Sequence, residues 1–218
     1  MSKSIYLDYQ STTPLAPEAF AAMEPWLSDN FWNPHSAHVG GRQAAAAVEV
    51  AREQVAALLP AGGRVIFTSG ATEAINLAIK GCGLPVSALA TEHAAVLDCV
   101  EFLGGDVLPE GDSGQFLPGP GRGTTRSVLE GQFAGGAIPN AAEDRHVPHH
   151  HPLDGPPPRS GEELVCAMLV NNEIGTIQPI AEIAEAVRTT GGLLLCDAVQ
   201  AFGRMQIPTG LDLIAISP

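Results

Sequence analysis

The stretch FTSGATEAINLAIKG, residues 67–81, limits the fold more than any other part of the chain. RVIFT, residues 64–68, is short and apolar and reads as a β-strand. Ser69-Gly70 supplies a turn, and residues 71–79 set alanines with Ile75, Leu77 and Ile79 at spacings that suit a buried helix. A strand that turns sharply into a helix leaves first-turn N–H groups unpaired at the positive end of the helix dipole. Such a junction holds a phosphate with backbone amides and the Thr72 hydroxyl, without a lysine. A ligand-free helix after a strand has the same four residues, so Ser-Gly-Ala-Thr defines a site only in company.

The company is an alternating pattern. Further strands are expected at 86–90, 164–170, 193–196 and 213–216, and helices at 17–27, 41–59, 94–103 and 180–190. The helix over 41–59 carries Ala45, Val48, Ala51, Val55 and Leu58 on one stripe, expected to cover the sheet or the approach to the site. Alternation of this kind predicts an α/β fold with a mostly parallel sheet flanked by helices, and ligands bind beyond the carboxyl ends of such strands. The chain contains neither G-x-G-x-x-G after a strand nor G-x-x-x-x-G-K-[ST], so dinucleotide and nucleoside-triphosphate sites have no motif support.

A formal net charge of −13 repels nucleic acid and anionic membrane surfaces, so neither is expected as a partner. No apolar run is long enough to span a bilayer, and MSKSIYLDYQ lacks the apolar centre of a signal peptide; the expectation is a cytoplasmic protein. Cys82, Cys99, Cys166 and Cys196 show no C-x-x-C spacing and mostly sit in apolar segments, as reduced core cysteines do. Residues 111–161, longer than the unstructured loops a compact domain usually tolerates, are rich in Gly and Pro with little periodicity, and are expected to be disordered. Ordered-looking sequence resumes abruptly at Glu163-Leu164, which suggests an altered reading frame through roughly 115–161. His146 and His149-His150-His151 within that stretch form a flexible tract expected to be an adventitious metal ligand, and no metal site is expected.

Three segments follow the first motif, each at an expected strand end: TEHAAVLD (91–98), VNNEIGTIQPI (170–180) and LLLCDAVQAFG (193–203). With YLDYQSTTPLAPEA (6–19) and NPHSAHVGGRQA (33–44), they make the chain closely resemble the cysteine desulfurases, pyridoxal-phosphate (PLP) enzymes of the class V aminotransferase family. The resemblance covers residues 5–103 and 164–217. It implies a fold-type-I PLP-dependent transferase large domain, L-cysteine as substrate, a homodimer, and a sulfur-acceptor protein that takes the product as a persulfide. It also implies the chemistry of the site. PLP needs its phosphate anchored, its ring nitrogen protonated and its face held against the substrate.

By this resemblance Ala71 and Thr72 hold the phosphate, and Ser217 adds a further bond to it. Asp197 pairs with the pyridinium N–H, and Gln200, three residues on in D-A-x-Q, bonds the ring phenolate oxygen. His93 stacks on the ring and assists proton transfer, while Asn172 reaches the ring oxygen and the bound amino acid. Asn171 and Glu173 fix the loop. Each has a plainer reading: Asp197 as a helix cap, His93 as a structural histidine, Asn172 as an Asx turn, Gln200 as a surface residue.

The chain departs from the family where it ends. ISP, residues 216–218, stops where the family continues into Ser-x-His-Lys, and the two lysines, Lys3 and Lys80, match no Schiff-base position. The later loop cysteine that attacks the substrate sulfur has no counterpart either. The expectation is a single partial large domain over residues 1–218, truncated and without the small C-terminal domain, and with negligible turnover of its own. Two alternatives remain open: a related class V enzyme such as a selenocysteine lyase, and a non-catalytic remnant or binding protein.

Overall fold

The computed structural model describes residues 5–109 and 162–218. The Gly/Pro-rich stretch, the histidine tract and Lys3 lie outside the described residues. Those described form five helices, α1 (Pro17–Ser28), α2 (Val39–Ala56), α3 (Ala71–Cys82), α4 (Ala94–Leu103) and α5 (Ile180–Thr189), and five strands. The strands are β1 (Val86–Leu89), β2 (Asp106–Leu108), β3 (Leu164–Met168), β4 (Leu193–Asp197) and β5 (Leu213–Ala215). They make one sheet in the order β2-β1-β3-β4-β5, and every pairing is parallel.

The central strands are mostly apolar because helices cover both faces, Ser87 and the terminal Asp197 being the exceptions. Every residue of VSAL and LVCAM is buried, and so are the last four of LLLCD. Successive side chains part to opposite faces. Val165, Ala167, Leu194 and Cys196 meet Ile180, Ile183, Ala184 and Val187 of α5, whose i, i+3, i+4, i+7 spacing gives that helix one apolar face. Leu164, Cys166 and Leu195 meet Ile75 and Ile79 of α3 and Val96, Cys99 and Val100 of α4 on the other face. Helices α3 and α4 both stop at a glycine in the left-handed region, Gly83 at φ 66° and Gly104 at φ 68°, a conformation that penalises a Cβ.

Two expectations fail. RVIFT forms no strand and pairs with none among the described residues, and Ile66 and Phe67 are 64% and 48% exposed. The segment is instead tied to α2: Arg52 Nη1 donates to the Val65 carbonyl at 2.7 Å, and the Arg52 guanidinium lies 4.8 Å from the centre of the Phe67 ring. The apolar stripe on α2 is not a buried face either. Val48 and Leu58 are 38% and 70% exposed, and the helix buries only Gly40, Gly41 and Ala44. The buried end is set by steric fit: a Cβ on Gly41 would lie 2.2 Å from the Ser36 carbonyl oxygen. Strand β2 was not expected, since three residues give too short a pattern to read.

The chain leaves β1 toward β2 on one side and returns to β3 on the other, so the order of connection reverses between β1 and β3. A crevice opens beyond the strand ends at such a switch point. Among the described residues, no helix is long and apolar enough to cross a membrane.

Candidate active site

A cleft of about 370 Å³ lies at that point. Ala71, Thr72, His93, Asn172, Asp197 and Gln200 all line it, although they come from four separate segments of the sequence. Ser217, two residues past β5 and half-buried, does not.

Each lining residue is held by its element. Thr72 and Ala71 open α3, whose N-terminus has no side-chain cap, so its first-turn N–H groups are left for an outside acceptor. The neighbouring Ser69 N–H is already taken, by Glu73 Oε2 at 2.5 Å. The Ser69 hydroxyl and N–H together hold the Glu73 carboxyl below its usual range. Asp197 ends β4 at 5% exposure, with Val199 N donating to its Oδ1 at 3.0 Å. Residues 199–204 form turns, so Asp197 caps no helix and Gln200 sits on none. Burial raises the Asp197 pKa, against the Val199 N–H bond and the nearby His93, which lower it.

His93 caps α4: Ala95 N donates to its Nδ1 at 3.1 Å. That bond uses Nδ1 as an acceptor and leaves Nε2 as the proton-bearing nitrogen. The histidine is therefore both a structural cap and part of the cleft wall. Asn171, 6% exposed, accepts from Glu173 N and Ile174 N at 2.8 and 2.9 Å through Oδ1, and its Nδ2 donates to the Thr91 carbonyl at 2.7 Å. It folds its own loop, ties it to the one carrying His93, and so presents Asn172 to the cleft.

Sequence reasoning missed the contribution of the N-terminal segment: Asp8, Gln10 and Ser11 also line the cleft. YLDYQSTTP carried the resemblance but no chemical pattern that marks a site. Gln10 Nε2 donates to Gln200 Oε1, which also accepts from Arg204 Nη1 at 3.1 Å, and Arg204 Nη2 donates to the Tyr9 carbonyl at 3.5 Å. An arginine only donates, so Gln200 must turn its oxygen toward Arg204, leaving its own NH₂ for the cleft.

The cysteines do not join this set. Cys99, Cys166 and Cys196 are buried and Cys82 is half-buried, all as free thiols. Burial pushes the Cys196 thiol up to about 12 and the Cys166 thiol further still. Such thiols are not nucleophiles near neutral pH. Lys80, the lysine among the described residues, lies 5.2 Å from the Phe102 ring and outside the cleft lining.

An uncapped helix start, a buried carboxyl and a histidine thus gather at the switch point of a parallel α/β sheet. The aminotransferase class-V family model matches residues 5–104 and 159–218, so the chain belongs to that family. Within it, the chain is 37% identical to the cysteine desulfurase IscS of Rickettsia akari and 38% identical to that of Dechloromonas aromatica, covering 98% and 95% of this chain. It covers 48% and 47% of those relatives, so the chain spans about half the length of the curated proteins it matches.

Solved structures give the same picture. A NifS-like protein from Rickettsia africae superposes with a TM-score of 0.69 at 27% identity, over 98% of this chain and 53% of that one. SspA in complex with cysteine gives 0.69 at 28% identity, over 98% and 57%. The parallel sheet with helices on both faces is thus the fold shared with about half of each of these two structures.

Proposed function

We propose that this chain is the cofactor-binding part of a cysteine desulfurase, and that its cleft takes pyridoxal phosphate. The complete protein would convert L-cysteine to L-alanine and pass the sulfur on as a persulfide. The observation that carries the reading is Asp197: a carboxyl 5% exposed at a strand end, lining the same cleft as an uncapped helix N-terminus. A buried acid of this kind suits a cation, and an open helix start suits a phosphate.

Pyridoxal phosphate, when bound, supplies an electron sink for the substrate α-carbon. The residues of this chain supply the rest. Ala71 and Thr72 would hold the phosphate through first-turn N–H groups and the Thr72 hydroxyl. Asp197 would keep the ring nitrogen protonated, using the carboxylate oxygen not engaged by Val199. His93, with Nδ1 occupied by Ala95 N, would lie against the ring and move protons through Nε2. The Gln200 NH₂ would donate to the ring phenolate oxygen, and Asn172 would reach the same oxygen and the bound amino acid. Ser217 remains in the proposal as a phosphate ligand only if residues 216–218 turn inward on binding.

The cysteine complex of a structural relative supports L-cysteine as the substrate class. Exposed apolar side chains at Leu7, Phe20 and Leu27 support association with a second copy, as the resemblance implies.

Equilibrium dialysis against pyridoxal phosphate tests the reading. The chain should bind one equivalent, and Asp197→Asn should weaken binding roughly 10-fold to 100-fold, the worth of one hydrogen bond to a charged group. Equal affinity in the two proteins would remove Asp197 from the site and the reading with it.

A further inference from the structure

Next to the cleft-lining His93 lies a second buried carboxyl that the proposed chemistry does not use. Glu92 lies between Thr91 and His93 and is 5% exposed. Its Oε1 accepts from Met168 N, at the end of β3, at 2.6 Å. Its Oε2 is buried without a hydrogen-bond partner, as is Thr91 Oγ1. Met168 lines the cleft and pairs in register with Asp197 across β3 and β4. The Glu92 side chain is thus a brace from the loop carrying His93 to the strand beside Asp197.

Two buried carboxyls that feel each other's charge cannot both ionise cheaply. The partners of each decide which one takes the proton. Asp197 has the Val199 N–H and the nearby His93 to favour its charged form. Glu92 has one N–H on Oε1 and an orphaned Oε2. An unpaired hydroxyl costs far less to bury than an unpaired charge, so the proton belongs on Oε2. The other titratable groups felt there are Cys166 of β3 and Cys196 of β4, both neutral thiols whose pKa values burial raises. They supply no positive charge to reverse the assignment.

We propose that Glu92 is a positioning residue held as a neutral acid: it fixes the loop bearing His93 against β3 and leaves the negative charge of the cleft floor to Asp197. Burial first, and then the charge of Asp197, push the Glu92 carboxyl up to about 8, against the Met168 N–H bond. The part of the proposal that concerns Asp197 as the ring-nitrogen partner rests on the cofactor reading above; the protonation of Glu92 does not.

The sign of the linkage follows from a folded pKa above the unfolded one. The neutral Glu92 stabilises in full below the model-peptide value of 4.5, and that stabilisation is lost as pH rises through about 8. Urea unfolding of the cofactor-free chain across that range, for wild type and Glu92→Gln, is the test. The amide keeps the acceptor for Met168 N and cannot ionise, so the wild-type midpoint should fall relative to the variant as pH rises, and Asp197→Asn should move the wild-type transition to lower pH. Parallel curves for wild type and Glu92→Gln would overturn the proposal.

Should Glu92→Gln fail to fold, infrared spectroscopy of glutamate-labelled wild type replaces it. A protonated carboxyl band at neutral pH that fades through about 8 is expected, and its absence at neutral pH would overturn the assignment. Dialysis against pyridoxal phosphate then separates this proposal from the cofactor reading. Glu92→Gln should bind within about twofold of wild type, while Glu92→Ala, which frees the His93 loop, should bind about 10-fold more weakly. Pyridoxal phosphate failing to bind any of the three would sink the cofactor reading, with the unfolding curves still deciding the state of Glu92.

Discussion

Asp197 answers two opposed demands. A strand end buried to 5% exposure penalises its charge, and the proposed cofactor requires that charge. Its folded pKa is raised, so its contribution to stability is present below the unfolded value of 3.8 and is lost as pH rises through the folded value. Asp197→Asn keeps an acceptor for Val199 N and removes the penalty. The cofactor-free variant should therefore unfold at higher urea than wild type at neutral pH, with the gap closing on acidification, even as it binds pyridoxal phosphate less well. A site residue whose replacement raises stability while lowering affinity is one retained for function. Lower stability at neutral pH in the variant would mean that Asp197 is a structural acid. At this scale six of the cleft residues were legible, because they fall in the motifs that carry the family resemblance. Glu92 and Gln10 were not legible, since nothing in the sequence says that a glutamate is buried or that a glutamine reaches across the fold to Gln200.

Among the elements, the mostly apolar central strands and the amphipathic α5 were readable from their patterns, and the expected bounds for α4 are those observed. RVIFT misled because a strand is defined by its partner, and apolarity alone cannot supply one. The α2 stripe misled because alanines fit either face of a helix; the buried residues proved to be Gly40, Gly41 and Ala44, selected by close approach. Strand β2 is held by a similar contact. A Cβ on Gly105 would sit 2.3 Å from the Val86 carbonyl oxygen and 2.8 Å from Val86 Cγ1. Backbone cannot yield there as a flexible side-chain tip can, so Gly105→Ala should push β2 from β1 and cost about 1–3 kcal/mol in urea unfolding. An unchanged midpoint would show that this edge of the sheet is loosely held.

The molecule as a whole presents a cleft on a sheet that matches about half the length of its relatives. The described residues bring to that cleft the groups that bind and orient, while Lys80 lies outside it and the buried thiols are held neutral. The 218-residue chain, given pyridoxal phosphate and L-cysteine, should accordingly release alanine no faster than free pyridoxal phosphate does. Release well above that rate, measured by amino-acid analysis, would require a nucleophilic thiol and a lysine that the described cleft does not contain.

The central claim is that pyridoxal phosphate binds where the strand ends converge, and amide chemical-shift mapping during a pyridoxal-phosphate titration tests it most directly. Saturable shifts should appear at Ala71 and Thr72 and extend to His93, Asn172, Asp197 and Gln200, with Asp197→Asn needing more ligand to reach the same end point. Shifts confined to another surface, such as the groove lined by Leu58 and Phe202, or no saturable shift at all, would contradict the account.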